Sequence, residues 1–137
     1  AAIKKVKTVI LFGYHGKLIK LAGGIFHTHN HIADGRIEIL VYLAVQENLP
    51  PEIIVKLSTL NTLEDALLAL ERFNQSIAEK LFHNLSNTIE KRSFAYVNRY
   101  VKTDMEIAAI LFDRKRKIRW SGTNGNDYIS YFNKINC

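Results

Sequence analysis

Apolar positions along this chain follow two periods, and the change from one to the other outlines the fold. Residues 6–12, VKTVILF, form a short β-branched and apolar run that stops at Gly13, which predicts a buried strand. A core strand this close to residue 1 is expected where a domain is cut from a longer polypeptide. Residues 17–22 predict one or two helical turns ended by Gly23 and Gly24, because consecutive glycines supply the left-handed conformation that closes helices. Asp34 is the expected N-cap of a helix over 35–48, in which Ile37, Leu40, Val41, Ala44 and Val45 recur at helical spacing. Pro50 and Pro51 end it, and Pro51 suits the first position of the next helix.

Thr62 followed three residues later by Asp65 resembles a capping box, and Leu63, Ala66, Leu67, Leu70 and Phe73 continue at i, i+3, i+4 and i+7. Ile77, Leu81, Leu85 and Ile89 recur every four residues, so helix is expected to about Tyr100, with a break near 84–87 where two asparagines fall. Residues 105–112 read as a strand, 113–117 (DRKRK) as a charged turn and 118–120 (IRW) as a returning strand, which together make a hairpin. The stretch SGTNGN then predicts a loop, and the tail from Asp127 a last helix. This order predicts a single α/β domain over 1–137, a small mostly parallel sheet of three or four strands with a C-terminal hairpin, covered by several helices.

Composition narrows the partners. With 137 residues, 47% of them hydrophobic, the chain suits one core, and 19 Lys and Arg against 13 Asp and Glu give a net charge of +6 that attracts anions. The one cysteine, Cys137, excludes an intrachain disulfide and a cysteine-based zinc site, as suits a reducing, cytoplasmic setting. No apolar run approaches the roughly 20 residues that span a bilayer, so no membrane partner is expected. The DRKRK turn reads as a solvated charged turn, so no nucleic-acid partner is expected either.

Polar chemistry concentrates between Gly13 and Glu38, which hold four of the five histidines. In GYHGKLIK a strand leads through glycines into a helix, placing backbone N–H groups and Lys17 where an anion could bind, although Leu18 stands where a phosphate loop needs Ser or Thr. His27, His29 and His31 alternate, so an extended backbone would turn all three to one side, with Asp34 as a possible fourth metal ligand. That leaves open a metal-dependent hydrolase built on the histidine cluster. A basic binding module is a further alternative. Arg36 suits a paired contact with a carboxylate or an internal salt bridge.

Taken together, ILFGYHGKLIKLAGGIFHTHNHIADGRIEIL resembles the C-terminal part of the CbiD family of cobalt-precorrin-5B C-1 methyltransferases. The family pattern is G-[HN]-x-G-K-L-[VI]-K-L-A, a glycine-bearing link, then [FM]-x-T-H-S-x-x-A-D-x-R-x-E. Gly13, Gly16, Lys17, Lys20, Thr28, His29, Ala33, Asp34, Arg36 and Glu38 occupy those places, with Tyr14 and Asn30 as departures that keep a hydrogen-bonding group. His27 and His31 fall where the family varies, which speaks against a three-histidine metal centre. The hairpin over 106–120 also resembles the family's closing segment.

The resemblance implies a piece of a longer enzyme whose N-terminal portion would be its partner. That enzyme would transfer a methyl group from S-adenosylmethionine to ring carbon 1 of an anionic cobalt tetrapyrrole in cobalamin biosynthesis, with no metal site of its own. Gly13, His15, Gly16, Lys17, Lys20, Thr28, Arg36 and Glu38 are then expected to contact substrate, with Lys17, Lys20 and Arg36 on its carboxylates. His29 or Asp34 is expected to act as a base or to orient the ring.

Overall fold

The computed structural model describes residues 7–24, 35–100 and 104–135, with side chains to residue 129. In chain order the elements are β1 (Thr8–Tyr14), α1 (His15–Ala22), α2 (Arg36–Gln46), α3 (Pro51–Ser58), α4 (Leu63–Phe73), α5 (Gln75–Tyr100), β2 (Glu106–Phe112), β3 (Ile118–Ser121) and α6 (Thr123–Ile135). Among the described residues the sheet has three strands in the order β1-β2-β3. β1 runs parallel to β2 from Thr8↔Glu106 to Tyr14↔Phe112, and β2 pairs antiparallel with β3. The expected α/β class holds, with α1 to α5 inserted between the parallel strands.

β2 is the central strand, and Ala108, Ala109, Ile110 and Leu111 are fully buried. Alternation along a strand divides its side chains between two faces. Ala109 and Leu111 join the helical core with Leu40, Leu70, Phe82 and Leu85. On the opposite face α6 lies across the sheet, and Tyr128 Oη donates to Glu106 Oε1 at 2.7 Å.

Several local expectations are met for the reasons that predicted them. Pro51 opens α3, Gly23 and Gly24 close α1 with φ +78° at Gly24, and Thr62 caps α4 by accepting the Asp65 N–H at 3.1 Å. The DRKRK turn is held by Asp113, whose Oδ1 accepts the N–H groups of Lys115 and Lys117. Burial works to raise the Asp113 pKa, but those two N–H groups and the Arg119 guanidinium outweigh it and bring the carboxyl below its ordinary value.

Five expectations are corrected. Gly13 lies inside β1 rather than after it, because its pairing with Leu111 continues the ladder to Tyr14. The N-cap of α2 is Gly35 rather than Asp34: Gly35 takes the left-handed conformation at φ 74°, and its carbonyl accepts the Ile39 N–H that starts the helix. α2 is apolar on more than one side, and the face turned inward is Ile39, Leu40, Leu43 and Ala44, so Val45 is exposed, as is Phe73 at the end of α4.

No break interrupts α5 at 84–87; the break falls at Asn74, whose Oδ1 caps α5 by accepting the Ile77 N–H. Asn84 and Asn87 do not compete for their own backbone because they bond outward, to Glu47 and to Thr123. Lastly, TNGN is helix rather than loop. Its missing N-cap is supplied by α5, where Asn87 Oδ1 takes the Thr123 N–H and Glu90 takes those of Asn124 and Gly125.

Candidate functional site

β1 passes into α1 without a linker, so Tyr14 ends the strand in an extended conformation and His15 begins the helix. Gly16 permits this, since a Cβ there would come within 2.5 Å of the Tyr14 ring. Both aromatic residues converge on α4. Tyr14 Oη donates to Glu64 Oε1 at 2.9 Å, and His15 Nε2 lies 2.8 Å from the same oxygen. A carboxylate can only accept, so the His15 proton sits on Nε2.

His15 is fully buried, edge-on to Phe82 and Trp120. Burial lowers its pKa from the ordinary 6.5, against the opposing pull of Glu64 and Asp113, while Arg119 adds to the lowering. Burial, helped by the Glu64 bond and charge, raises that of the Tyr14 phenol. The turn is therefore a neutral, inward-facing staple between β1–α1 and α4. A histidine held neutral contributes stability that is complete above 6.5 and is lost as pH falls toward its depressed folded pKa. Urea midpoints of the unaltered protein should accordingly drop between pH 7.5 and 5.5, and His15→Gln should flatten that part of the profile. An equal drop in the variant would remove His15 as the cause.

The chemistry that faces solvent lies further along. Lys17 is exposed, and Lys20, one turn on, sits in the last turn of α1 on the same side of the helix. Gly23 and Gly24 then bring three elements together. A Cβ on Gly23 would come within 2.6 Å of Ile39 in the first turns of α2, and one on Gly24 within 3.3 Å of Arg92 Nη1 on α5. Arg36, half-buried, is the first residue of α2, and Glu38, two residues on, is exposed. Lys20 and Arg92 therefore lie by the residues that precede segment 25–34, and Arg36 by the residue that follows it.

Of the residues expected to form a site, Lys20 and Arg36 share this end of the domain, with Lys17 one turn away. His15 and Gly16 are buried at the opposite, N-terminal end of α1, and Gly13 lies in β1 with the Leu18 side chain beside it. Thr28, His29 and Asp34, together with His27 and His31, lie outside the described residues. Among the described residues no cluster of three or more His, Cys, Asp or Glu side chains is arranged to hold a metal ion. No described helix is long and apolar enough to cross a membrane.

Sequence reading missed Arg92 and Glu64. Arg92 sits in an ordinary polar stretch of α5, more than 60 residues from the lysines it joins, and nothing local marks it. Glu64 reads as a first-turn helix acid, which it also is.

A mixed three-stranded sheet under helices, with cations gathered where α1, α2 and α5 meet, defines a basic α/β domain. The family model described as "CbiD, C-terminal domain" matches residues 27–123, and the chain belongs to that family. It is 84% identical over 132 residues, 96% of this chain and 36% of the relative, to the cobalt-precorrin-5B C(1)-methyltransferase of Prochlorococcus marinus strain MIT 9215. The protein of the same description from strain MED4 is 74% identical over 96% of the chain, and that from strain NATL1A 50% identical over 91%. The chain spans about a third of the length of these relatives, 36% for MIT 9215 and 33% for NATL1A. No solved structure matches it.

Proposed function

We propose that this chain is the closing portion of a cytoplasmic enzyme that methylates ring carbon 1 of cobalt-precorrin-5B during cobalamin biosynthesis, and that its own share is to grip the acidic macrocycle. Membership of the CbiD family supports the reaction. The observation that carries the gripping role is that Lys20 and Arg92 lie by the residues before, and Arg36 by the residue after, the segment that bears Thr28, His29 and Asp34, with Lys17 on the adjoining turn.

The ring's acetate and propionate groups are ionised at neutral pH, and ammonium and guanidinium donors form the stronger class of hydrogen bond with them. A net charge of +6 draws such a substrate in. S-adenosylmethionine, when bound, supplies an electrophilic methyl group that departs without the electron pair of its bond to sulfur. What the protein must add is alignment of carbon, methyl and sulfur, so binding contacts remote from the reacting carbon do much of the work. His29 or Asp34 takes up a proton or fixes the ring's orientation. The rest of the longer enzyme completes the enclosure.

Replacing Lys17 and Arg36 singly by alanine tests this. A corrin whose side-chain carboxylates are all free should bind each variant roughly tenfold more weakly, a loss of about 1.4 kcal/mol. Binding to the unaltered protein should weaken as salt is added. Unchanged affinity in both variants would discard the carboxylate grip.

A further inference from the structure

β3 is four residues long and stops at Ser121, leaving the first half of β2 without a strand on that side. Side chains take the strand's place: Glu90 Oε2 accepts the Ala109 N–H, and Asn124 Nδ2 donates to the Ile107 carbonyl. Beside this gap opens a cleft of about 700 Å3, walled by α2, α5, the start of β2 and the first turn of α6. Its volume lies in the range of small-molecule sites. Along α5 the wall is a polar stripe, Asn84, Asn87, Thr88 and Lys91, at i, i+3, i+4 and i+7. Leu43, Phe94 and Met105 supply the apolar part.

Accounting for the polar groups gives the chemistry of what fits. Asn84 spends an amide N–H on Glu47, Gln46 one on the Tyr42 hydroxyl and Asn124 one on Ile107. Each keeps a carbonyl oxygen, an acceptor, whereas the Asn87 oxygen is taken up by Thr123, so that amide offers N–H instead. Glu106 adds a carboxylate, one oxygen of which already holds Tyr128. The Glu90 oxygens are taken up by three backbone N–H groups, so Glu90 is floor rather than ligand-binding acid. Lys91, exposed at the rim, is the cation of the lining. Such a site suits a ligand with several donors, a flat apolar body and one carboxylate, and suits polyphosphates poorly.

From this the geometry points to the cleft as the binding site of the methyl donor's adenosyl amino acid, an inference that rests on the proposed methyltransferase function. Adenine amino, ribose hydroxyl and α-ammonium groups meet the carbonyl oxygens and Glu106. The carboxylate meets Lys91, and the purine lies against Phe94 and Met105. The position is also right. Arg92, next to Lys91, reaches Gly24 at the root of segment 25–34, so α5 carries the cleft on one side and a member of the cationic group on the adjoining side.

S-adenosylhomocysteine has no methyl group to transfer and is the probe. Its affinity for the polypeptide that carries this chain is measured by calorimetry, alongside that of a carboxylate-bearing corrin. Thr88→Tyr, which fills the cleft, and Lys91→Ala should each weaken the nucleoside by at least tenfold and leave the corrin within twofold, with Lys56→Ala unchanged in both. Since Lys91→Ala alters only an exposed side chain, it carries the test if Thr88→Tyr fails to fold. Nucleoside binding that is equal in the unaltered protein and both variants would overturn the cleft while leaving the methyltransferase reading intact. No nucleoside binding by the unaltered protein would overturn both.

Discussion

Glu90→Ala should destabilise the protein by about 4 kcal/mol, because three backbone donors, two of them buried, then lose their acceptor together, at roughly 1–3 kcal/mol each with partial relief from water. Glu90 lies in the middle of α5 and is 6% exposed. Its carboxylate holds Ala109 N at 2.8 Å, Gly125 N at 2.8 Å and Asn124 N at 3.1 Å, thereby joining the longest helix, the central strand and the start of α6. A negative group at the first turn of α6 also meets the positive end of that helix. Glu90→Gln keeps one acceptor and turns an NH2 toward a backbone donor, so about half the loss is expected. Urea unfolding reads this as a lowered midpoint at constant slope. A change below 1 kcal/mol in the alanine variant would show that the carboxylate does not join these elements.

Gly125→Ala should also destabilise, against the helix propensity that favours alanine by nearly 1 kcal/mol. A Cβ at this position would overlap the carbonyl oxygen of Ala109, which is backbone in the central strand and cannot swing aside as a side chain would. The helix must lift from β2, and the Gly125 N–H then leaves Glu90. A loss of about 2–4 kcal/mol is expected from the forced displacement and the broken bond together. Tyr128, seated on Glu106 one turn further along, should lose part of its protection, which tyrosine fluorescence can follow. A stabilised variant would mean that α6 does not pack this closely on the sheet.

These two sites show where sequence reading stops. Strands, hairpin, the Pro51 and Thr62 helix starts and the Gly23–Gly24 stop were legible because each is decided within a few residues, by side-chain period, a fixed φ or a local cap. Asn84 and Asn87 misled because the same side chains that disturb a helix when they bond to their own backbone are harmless when they bond elsewhere, and the elsewhere is distant in sequence. The start of α6 was hidden for the complementary reason: its caps are Glu90 and Asn87, 34 to 36 residues upstream. Lys17, Lys20 and Arg36 were legible as residue types near glycines. That Arg92 joins them depends on how α5 lies against α1, which no local pattern encodes. His15 was expected to contact substrate, yet α4 brings Glu64 over it and the hairpin brings Trp120, so it is buried.

The proposed gripping role also orders the pieces of the molecule. β1 and the central strand fix α1, the His15–Glu64 contact fixes α1 on α4, and Glu90 fixes the middle of α5 on β2 and α6. Arg36 and Arg92 are thereby presented from helices rather than from loops, which lowers the cost of ordering them around a bound ring.

Incubating the complete polypeptide with methyl-labelled S-adenosylmethionine and cobalt-precorrin-5B, and reading the carbon that carries the label by NMR, tests the account most directly. Label on ring carbon 1, with transfer falling by tenfold or more in Lys17→Ala and Arg36→Ala at low substrate and recovering at saturation, is the predicted result. Label on another position, no transfer, or transfer indifferent to both cations at every substrate concentration would contradict it.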